Sequence, residues 1–241
     1  MDYANRDEME ARVARLLARV TAKQRNTILR ALGDPPQIER ITREVLDGVR
    51  LAVGGVLTKE LEAVYLDSAR DFLATNAGIG VDWNLINRNA SQWARGAWLT
   101  GQPPDKWSYP AGLAELFTDN RRRDLGDLVG QFYEEAWNMG RLREEVGKLF
   151  GPQWAETVAV TEVTRASVEG ERAIVVELNA QGIEMTEIWQ TNNDDLVCPV
   201  CGPRHNKPID DGWTRADGPP AHPRCRCWVG HELIMPEEEA Q

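Results

Sequence analysis

Apolar residues recur at helical spacing through most of the chain up to Gln181. Met9, Val13, Leu16, Leu17 and Val20 fall three or four positions apart, which puts them on one face of a helix running to Leu32. Gly33-Asp34-Pro35-Pro36 stops it, because proline lacks an amide donor and restricts the residue before it. Ile38, Ile41, Val45, Val49, Val53, Val56, Leu57, Leu61 and Val64 predict a second helix to about Thr75, bent at Gly54-Gly55. Asp82 stands as an N-cap for a third, Trp83 to about Thr100, whose Leu85, Ile86, Ala90, Trp93, Ala97 and Trp98 share a face. Beyond a proline-rich break at Gly101 to Pro110, the pattern predicts one or two helices through Trp137 and another over Gly140 to Phe150. A long helix from Trp154 to about Gln181 then closes at Gly182. Arg121-Arg122-Arg123 reads as a solvated turn.

The period then changes. Thr186 to Thr191 and Cys227 to Ile234 alternate as strands do. Between them lie Asp194, Asp195, Gly202, Pro203, Pro208, Gly212, Gly218, Pro219 and Pro220, the residues of turns and loops. The expected fold is α+β and predominantly α-helical. A helical N-terminal region (1–110) precedes a module (111–241) with one long helix and a small, zinc-stabilised β-sheet.

The net charge of −10 argues against a surface devoted throughout to nucleic acid, which needs an excess of Lys and Arg. One stretch runs the other way: Arg12, Arg15, Arg19, Lys23, Arg25 and Arg30 have no acidic residue between them. Such a basic amphipathic helix suits DNA, a membrane surface or an acidic partner, or is the solvated face of a bundle helix. No window approaches the roughly 18 apolar residues that span a bilayer. The first residues have no apolar signal core, so synthesis in a reducing cytosol is expected. Nine tryptophans, among them Trp83, Trp93, Trp98, Trp107 and Trp137, fit either core packing or contact with a partner.

All four cysteines and all three histidines lie between Cys198 and His231. Cys198-Pro-Val-Cys201 is followed by His222-Pro-Arg-Cys225-Arg-Cys227, a spacing that supplies enough soft ligands to close a tetrahedral zinc site. In a reducing compartment thiols at this spacing hold metal in preference to forming disulfides. A structural zinc can supply on the order of 10 kcal/mol of apparent folding free energy, which a loop so poor in apolar residues needs. Cys198 and Cys201 form one half of the site. The other half is His222 with Cys225 or Cys227, because alternate residues of a straight strand point to opposite faces and both thiols reach one ion only if the chain turns. His205 and His231 are fallback ligands, each expected to be an ordinary exposed or half-buried histidine.

Catalytic readings fare poorly. A zinc deaminase needs H-x-E before P-C-x-x-C, yet no histidine precedes Cys198 and Val197 replaces the proline. A zincin needs H-E-x-x-H, but His231-Glu-Leu-Ile is followed by Met235. Serine-hydrolase, Rossmann and P-loop signatures are missing. An HNH-like nuclease using His205-Asn206 or His222, and a zinc-dependent DNA-binding protein, are the alternatives.

The succession Thr161-Glu162-x-x-Arg165, Trp189-x-Thr191, Asp194-Asp195-x-Val197-Cys198-Pro-x-Cys201 and Pro219-Pro220-x-His222-Pro223-x-Cys225-Arg226-Cys227 resembles the Mu F-like phage head morphogenesis, or minor head protein, family. The resemblance covers about residues 120 to 235. The stretch from Asp82 to Trp93 also resembles the helical N-terminal part of such proteins. Two departures stand out: Val160 where the family often has Arg, and Arg204-His205-Asn206-Lys207 in place of a Leu-Asp-Gly-like turn. The resemblance implies a non-enzymatic virion protein, at the capsid interior or portal vertex, made in the host cytoplasm. It would associate with the portal, and with scaffold or major capsid protein, and aid DNA packaging or delivery. A DNA contact would fall on Arg12, Arg15 and Arg19. Some relatives carry a C-terminal toxin domain, and none is expected here.

Overall fold

The structure, a computed structural model, describes residues 3–75, 80–96 and 113–234, with the backbone alone for 113–117. These residues form helices α1 (Arg6–Leu32), α2 (Arg43–Thr75), α3 (Trp83–Arg95), α4 (Leu113–Glu134), α5 (Met139–Leu149) and α6 (Pro152–Ala180), and strands β1 (Met185–Gln190) and β2 (Trp228–Leu233). The mostly helical α+β class and the two strands flanking the cysteine-bearing loop agree with the sequence reading. The Gly101 to Pro110 break, Trp98 and Trp107 lie outside the described residues.

Two compact units interleave along the chain. A helical unit comprises Asp7–Glu60 and Gln92–Ala159; a sheet unit comprises Met1–Arg6, Leu61–Ser91 and Val160–Gln241. Helices α2, α3 and α6, and α1 through Arg6 alone, therefore contribute residues to both.

In the helical unit, Ile28, Leu32, Ile41, Leu46, Val49, Leu125, Val129, Leu142, Val146 and Phe150 form one buried cluster. Asn138 opens α5 by accepting the Arg141 amide at 2.9 Å, a side-chain cap that satisfies an otherwise orphaned donor. Two expectations are refined and one needs correction. The chain passes through Gly54-Gly55 in unbroken helix, because the neighbouring Val53 and Leu57 are buried and hold α2 on its core. The segment after Leu113 is one helix. Arg121, Arg122 and Arg123 lie inside it rather than in a solvated turn: Arg121 stacks over the rings of Phe150 and Trp154 at 5.6 and 5.2 Å, and Arg122 donates to the Ile41 carbonyl. A guanidinium can cover apolar rings while keeping its donors satisfied, so an arginine run need not mark a loop.

The sheet unit is organised by α6. Gly170 lets it approach α2 so closely that an added Cβ would sit 2.1 Å from the Tyr65 carbonyl oxygen. Beside that contact, the Ser68 and Ser167 hydroxyls meet at 3.0 Å and are buried. At the end of α6, Ile183 N–H reaches Leu178 O and Gly182 N–H reaches Asn179 O, each at 3.0 Å, with Gly182 at φ +85°. This is a Schellman motif, and the glycine avoids the penalty other residues meet at positive φ. The turn feeds β1, which pairs antiparallel with β2 in the register Glu187↔His231, Trp189↔Val229. The other edge of β1 is covered as well. Trp189 N–H donates to Lys207 O at 2.9 Å, Asn206 N–H to Trp189 O at 2.8 Å and Ile209 N–H to Glu187 O at 2.8 Å. The long loop thus pairs with β1 and leaves that edge no free template.

The approach at Gly170 makes a prediction. Gly170→Ala should destabilise the protein by about 2 kcal/mol or more, because the obstacle is backbone and cannot rotate away. Gly130→Ala, in α4 with open space around it, should stabilise it by about 0.5 kcal/mol. Thermal melts of the two variants against wild type check the contrast.

Candidate metal centre

The first half of the site is a knuckle before β1's partner strand is reached. Asp194 starts it: its carboxylate accepts the Leu196 amide at 3.0 Å and its carbonyl accepts the Val197 amide at 3.1 Å. Across Cys198-Pro-Val-Cys201, the Cys201 and Gly202 amides donate to Cys198 O at 3.1 and 3.0 Å, and the Cys201 amide also points at Cys198 Sγ at 3.4 Å. Amides aimed at a sulfur favour its thiolate, which is the form that ligates metal.

The second half is a turn between His222 and Cys225. The Cys225 amide donates to His222 O at 3.1 Å and Arg224 adopts φ +63°. Two threonines of α6 pin this turn: the Arg224 amide donates to Thr161 Oγ1 at 2.9 Å, and Thr164 Oγ1 donates to Cys225 O at 3.0 Å. Because Cys225 to Cys227 precede β2 and follow a left-handed residue, the strand alternation that would separate the two thiols does not apply. Both approach Cys201.

The resulting cluster holds all five residues singled out from the sequence. Cys198, Cys201 and His222 form one set of donors and Cys201, Cys225 and Cys227 another, the atoms of each set lying within 4.8 Å of one another. His222 Nε2 is 3.1 Å from Cys198 Sγ and 3.4 Å from Cys201 Sγ; Cys201 Sγ is 3.9 Å from Cys225 Sγ. His222 Nδ1 lies 2.9 Å from Pro223 O. That bond requires the hydrogen on Nδ1 and leaves the Nε2 lone pair facing the thiols, the orientation a metal-binding histidine takes.

The charges inside the cluster are unresolved by the protein alone. Hydrogen bonds from Cys201 and Cys227 bring the Cys225 thiol down to about 2. The bond to Cys225 pushes Cys201 up. Cys227, drawn down by Cys201, is pushed up to about 12 by Cys225 and burial. Only one of three crowded sulfurs can take the charge while the others keep their protons. Burial opposes the charge on His222, but the Pro223 carbonyl and the thiolates of Cys225 and Cys198 raise its affinity for a proton. A cation among these donors would stabilise several thiolates at once, so the cluster fits a metal ion.

Two neighbouring histidines stand apart. His205 Nδ1 lies 3.2 Å from the Thr191 amide and 3.2 Å from its hydroxyl. His231 is half-buried as a residue, as expected, but its side chain is fully enclosed, with Nδ1 3.7 Å from Glu171 Oε2 and its ring edge-on to Phe72 at 4.9 Å. Position 231 alternates onto the face of β2 that α6 covers, and a single polar residue in a strand of mixed pattern gave no sign of that depth.

Sequence reading also passed over the groups that hold the loop against the sheet. Trp213 is buried and packs edge-to-face on Trp189 at 5.2 Å. Arg204 lies over the Trp189 ring at 4.9 Å. Arg172, buried on α6, reaches Glu169 at 2.8 Å and Glu187 of β1 at 2.7 Å, and Arg215 from the loop reaches the other Glu187 oxygen at 2.7 Å. Burial alone would raise the Glu187 carboxyl, but the charge and hydrogen bonds of Arg172, with Arg215, hold it below the usual carboxylate range. A lone tryptophan in a Gly, Pro and Asp segment was the one available signal.

No family model, curated protein or solved structure matches the chain.

Two outcomes are expected. Burial brings His231 down to about 4, against about 6.5 in an unfolded chain. The unfolded state therefore binds the extra proton between those values. The stability from neutral His231 is complete above about pH 6.5 and falls as pH drops to about 4, by roughly 3 kcal/mol in total. Denaturant titrations should show a steeper loss over that window in wild type than in His231→Gln. Stripping metal with a chelator should accelerate amide exchange across residues 191–227 by at least about tenfold while leaving α4 and α5 unchanged.

Proposed function

We propose that this chain is a structural minor head protein of a tailed phage or prophage, of the Mu F-like head morphogenesis kind, joining the portal during procapsid assembly. One observation carries the reading. Residues of the motif succession that are far apart in sequence meet around one turn: Thr161 and Thr164 bond the backbone of Arg224 and Cys225, and Trp189 packs in the cluster that holds Cys201, Cys225 and Cys227. Glu162 and Arg165 pair at 3.6 Å on the same helix. A pattern whose parts serve one module is a unit of design rather than coincidence.

Zinc is the ion that suits this module. Thiolates and an imidazole, with no carboxylate among the donors, select it over the hard divalent ions. Bond lengths of about 2.3 Å to sulfur and about 2.0 Å to nitrogen give tetrahedral edges of roughly 3.5 Å between S and N and 3.8 Å between two S atoms. The contacts at 3.1, 3.4 and 3.9 Å are close to those edges. Protein donors fill the shell, so the ion acts as a cross-link and the reading assigns no catalysis.

The second partner is DNA, met by α1. Residues 11–32 carry six basic and no acidic side chains, and Arg12, Arg15, Arg19, Lys23 and Arg30 are exposed. Arg12 also pairs with Glu60 at 2.8 Å, which leaves Arg15 and Arg19 the larger share of any phosphate contact. Scaffold and major capsid protein are further partners within the same reading, and the virion interior or portal vertex is its location.

The protein should copurify with a portal oligomer and enter assembling heads; failure in both settings would overturn the assembly reading. DNA binding should weaken steeply with salt, and Arg15→Ala and Arg19→Ala should each reduce the slope of log affinity against log salt by about one. Binding that is indifferent to both changes removes DNA from the account.

A further inference from the structure

Five donors surround a site that one tetrahedral ion fills with four. The short contacts link Cys198, His222, Cys201 and Cys225 in an unbroken series, at 3.1, 3.4 and 3.9 Å. Cys227 meets this series only at one end, beside Cys201 and Cys225. Its sulfur lies within 4.8 Å of Cys201 and Cys225, and it packs in the cluster of Trp189 and Val229 at the start of β2. All five residues nevertheless border one cavity of about 170 Å³, wide enough to admit a molecule the size of water or hydrogen peroxide.

Resting on the metal reading above, we propose that Cys198, Cys201, His222 and Cys225 hold the ion and that Cys227 is a resolving thiol, which converts peroxide attack at the site into a reversible disulfide and release of the metal. The step balances as follows. The ligating thiolate of Cys201 attacks one peroxide oxygen; the O–O bond breaks, hydroxide leaves, and Cys201 becomes a sulfenic acid. The Cys227 thiol then attacks that sulfur, its proton passing to the departing hydroxide. An S–S bond forms, the S–O bond breaks and water leaves. Two sulfurs have lost one electron each and the peroxide has gained two. Cys225, also within 4.8 Å of Cys227, can take the role of Cys201 in the same step. Either disulfide removes a thiolate from the shell, so the ion departs. A thiol reductant restores both cysteines, whereas a sulfenic acid without a resolving partner proceeds to irreversible oxidation.

The surplus of one thiol is what separates this arrangement from a closed cross-link. A site built only for rigidity gains nothing from a fifth donor at that distance. A site that opens reversibly under oxidants gains a partner that traps the sulfenic acid before irreversible oxidation.

The test uses the full-length protein purified with zinc. Wild type and Cys227→Ser should each carry one zinc per chain, with Cys227→Ala as a second variant should the serine disturb packing, whereas Cys198→Ser, Cys201→Ser and Cys225→Ser should lose it. Peroxide should release zinc from wild type, read by a chromogenic chelator, with a disulfide containing Cys227 in the peptide map and full zinc uptake after reduction. Under the same treatment Cys227→Ser should recover at least about tenfold less zinc-binding capacity, with its ligand cysteines found as sulfinic acid. Wild type without zinc would sink the metal reading and this one together. Zinc-loaded wild type with both Cys227 variants empty would make Cys227 a ligand and overturn this proposal alone. So would a peroxide-induced disulfide that excludes Cys227, metal loss with no disulfide, or full recovery in Cys227→Ser.

Discussion

The segment between the two strands, residues 191–227, has only two short 3₁₀ turns of its own and must be held by cross-links rather than by secondary structure. An irregular chain of that length pays a large conformational entropy on ordering. Its buried apolar side chains are few: Trp213 and the cysteines themselves supply most of them. What fixes it instead is a sequence of specific contacts: the Arg172–Glu187–Arg215 ion pairs, the backbone pairing of residues 206–209 with β1, and the cluster of thiols and the His222 imidazole.

These contacts are interdependent. Glu187 is buried between two arginines and pairs in register with His231, so removing Arg172 would leave a buried carboxylate with only the half-exposed Arg215 to offset its charge. Trp189, the next-but-one residue, presents its ring to Trp213 and Arg204 and packs beside the cysteines. A single strand therefore carries the polar clamp on one residue and the apolar seat of the donor cluster two residues later, as the period of a strand permits. Helix α6 serves both: its Thr161 and Thr164 fix the His222–Cys225 turn, and its Arg172 fixes β1.

Much of this was legible in the sequence. Helical periodicity, the Asp82 cap, the Gly182 terminus and the paired strands each rest on local rules that the chain obeys, and the Asp82 carboxylate indeed accepts the Asn84 and Leu85 amides at 2.9 and 3.2 Å. The donor set was legible because thiols and imidazoles confined to one short segment have few other uses. What could not be read was set by tertiary contact. Arg121 and Arg122 become part of a packed helix through rings and a carbonyl distant in sequence. His231 is sunk beneath α6 by a register that sequence does not state. Cys225 and Cys227 reach the same neighbour because Arg224 takes a conformation that propensity disfavours.

The central claim is that one zinc ion, held by thiolates and an imidazole, organises the loop between the strands. X-ray absorption at the zinc edge on protein purified without chelator tests it most directly. The account predicts one zinc per chain with three sulfurs at about 2.3 Å and one nitrogen at about 2.0 Å. Protein that is reduced, folded and free of zinc, or zinc in a shell dominated by oxygen, would contradict it.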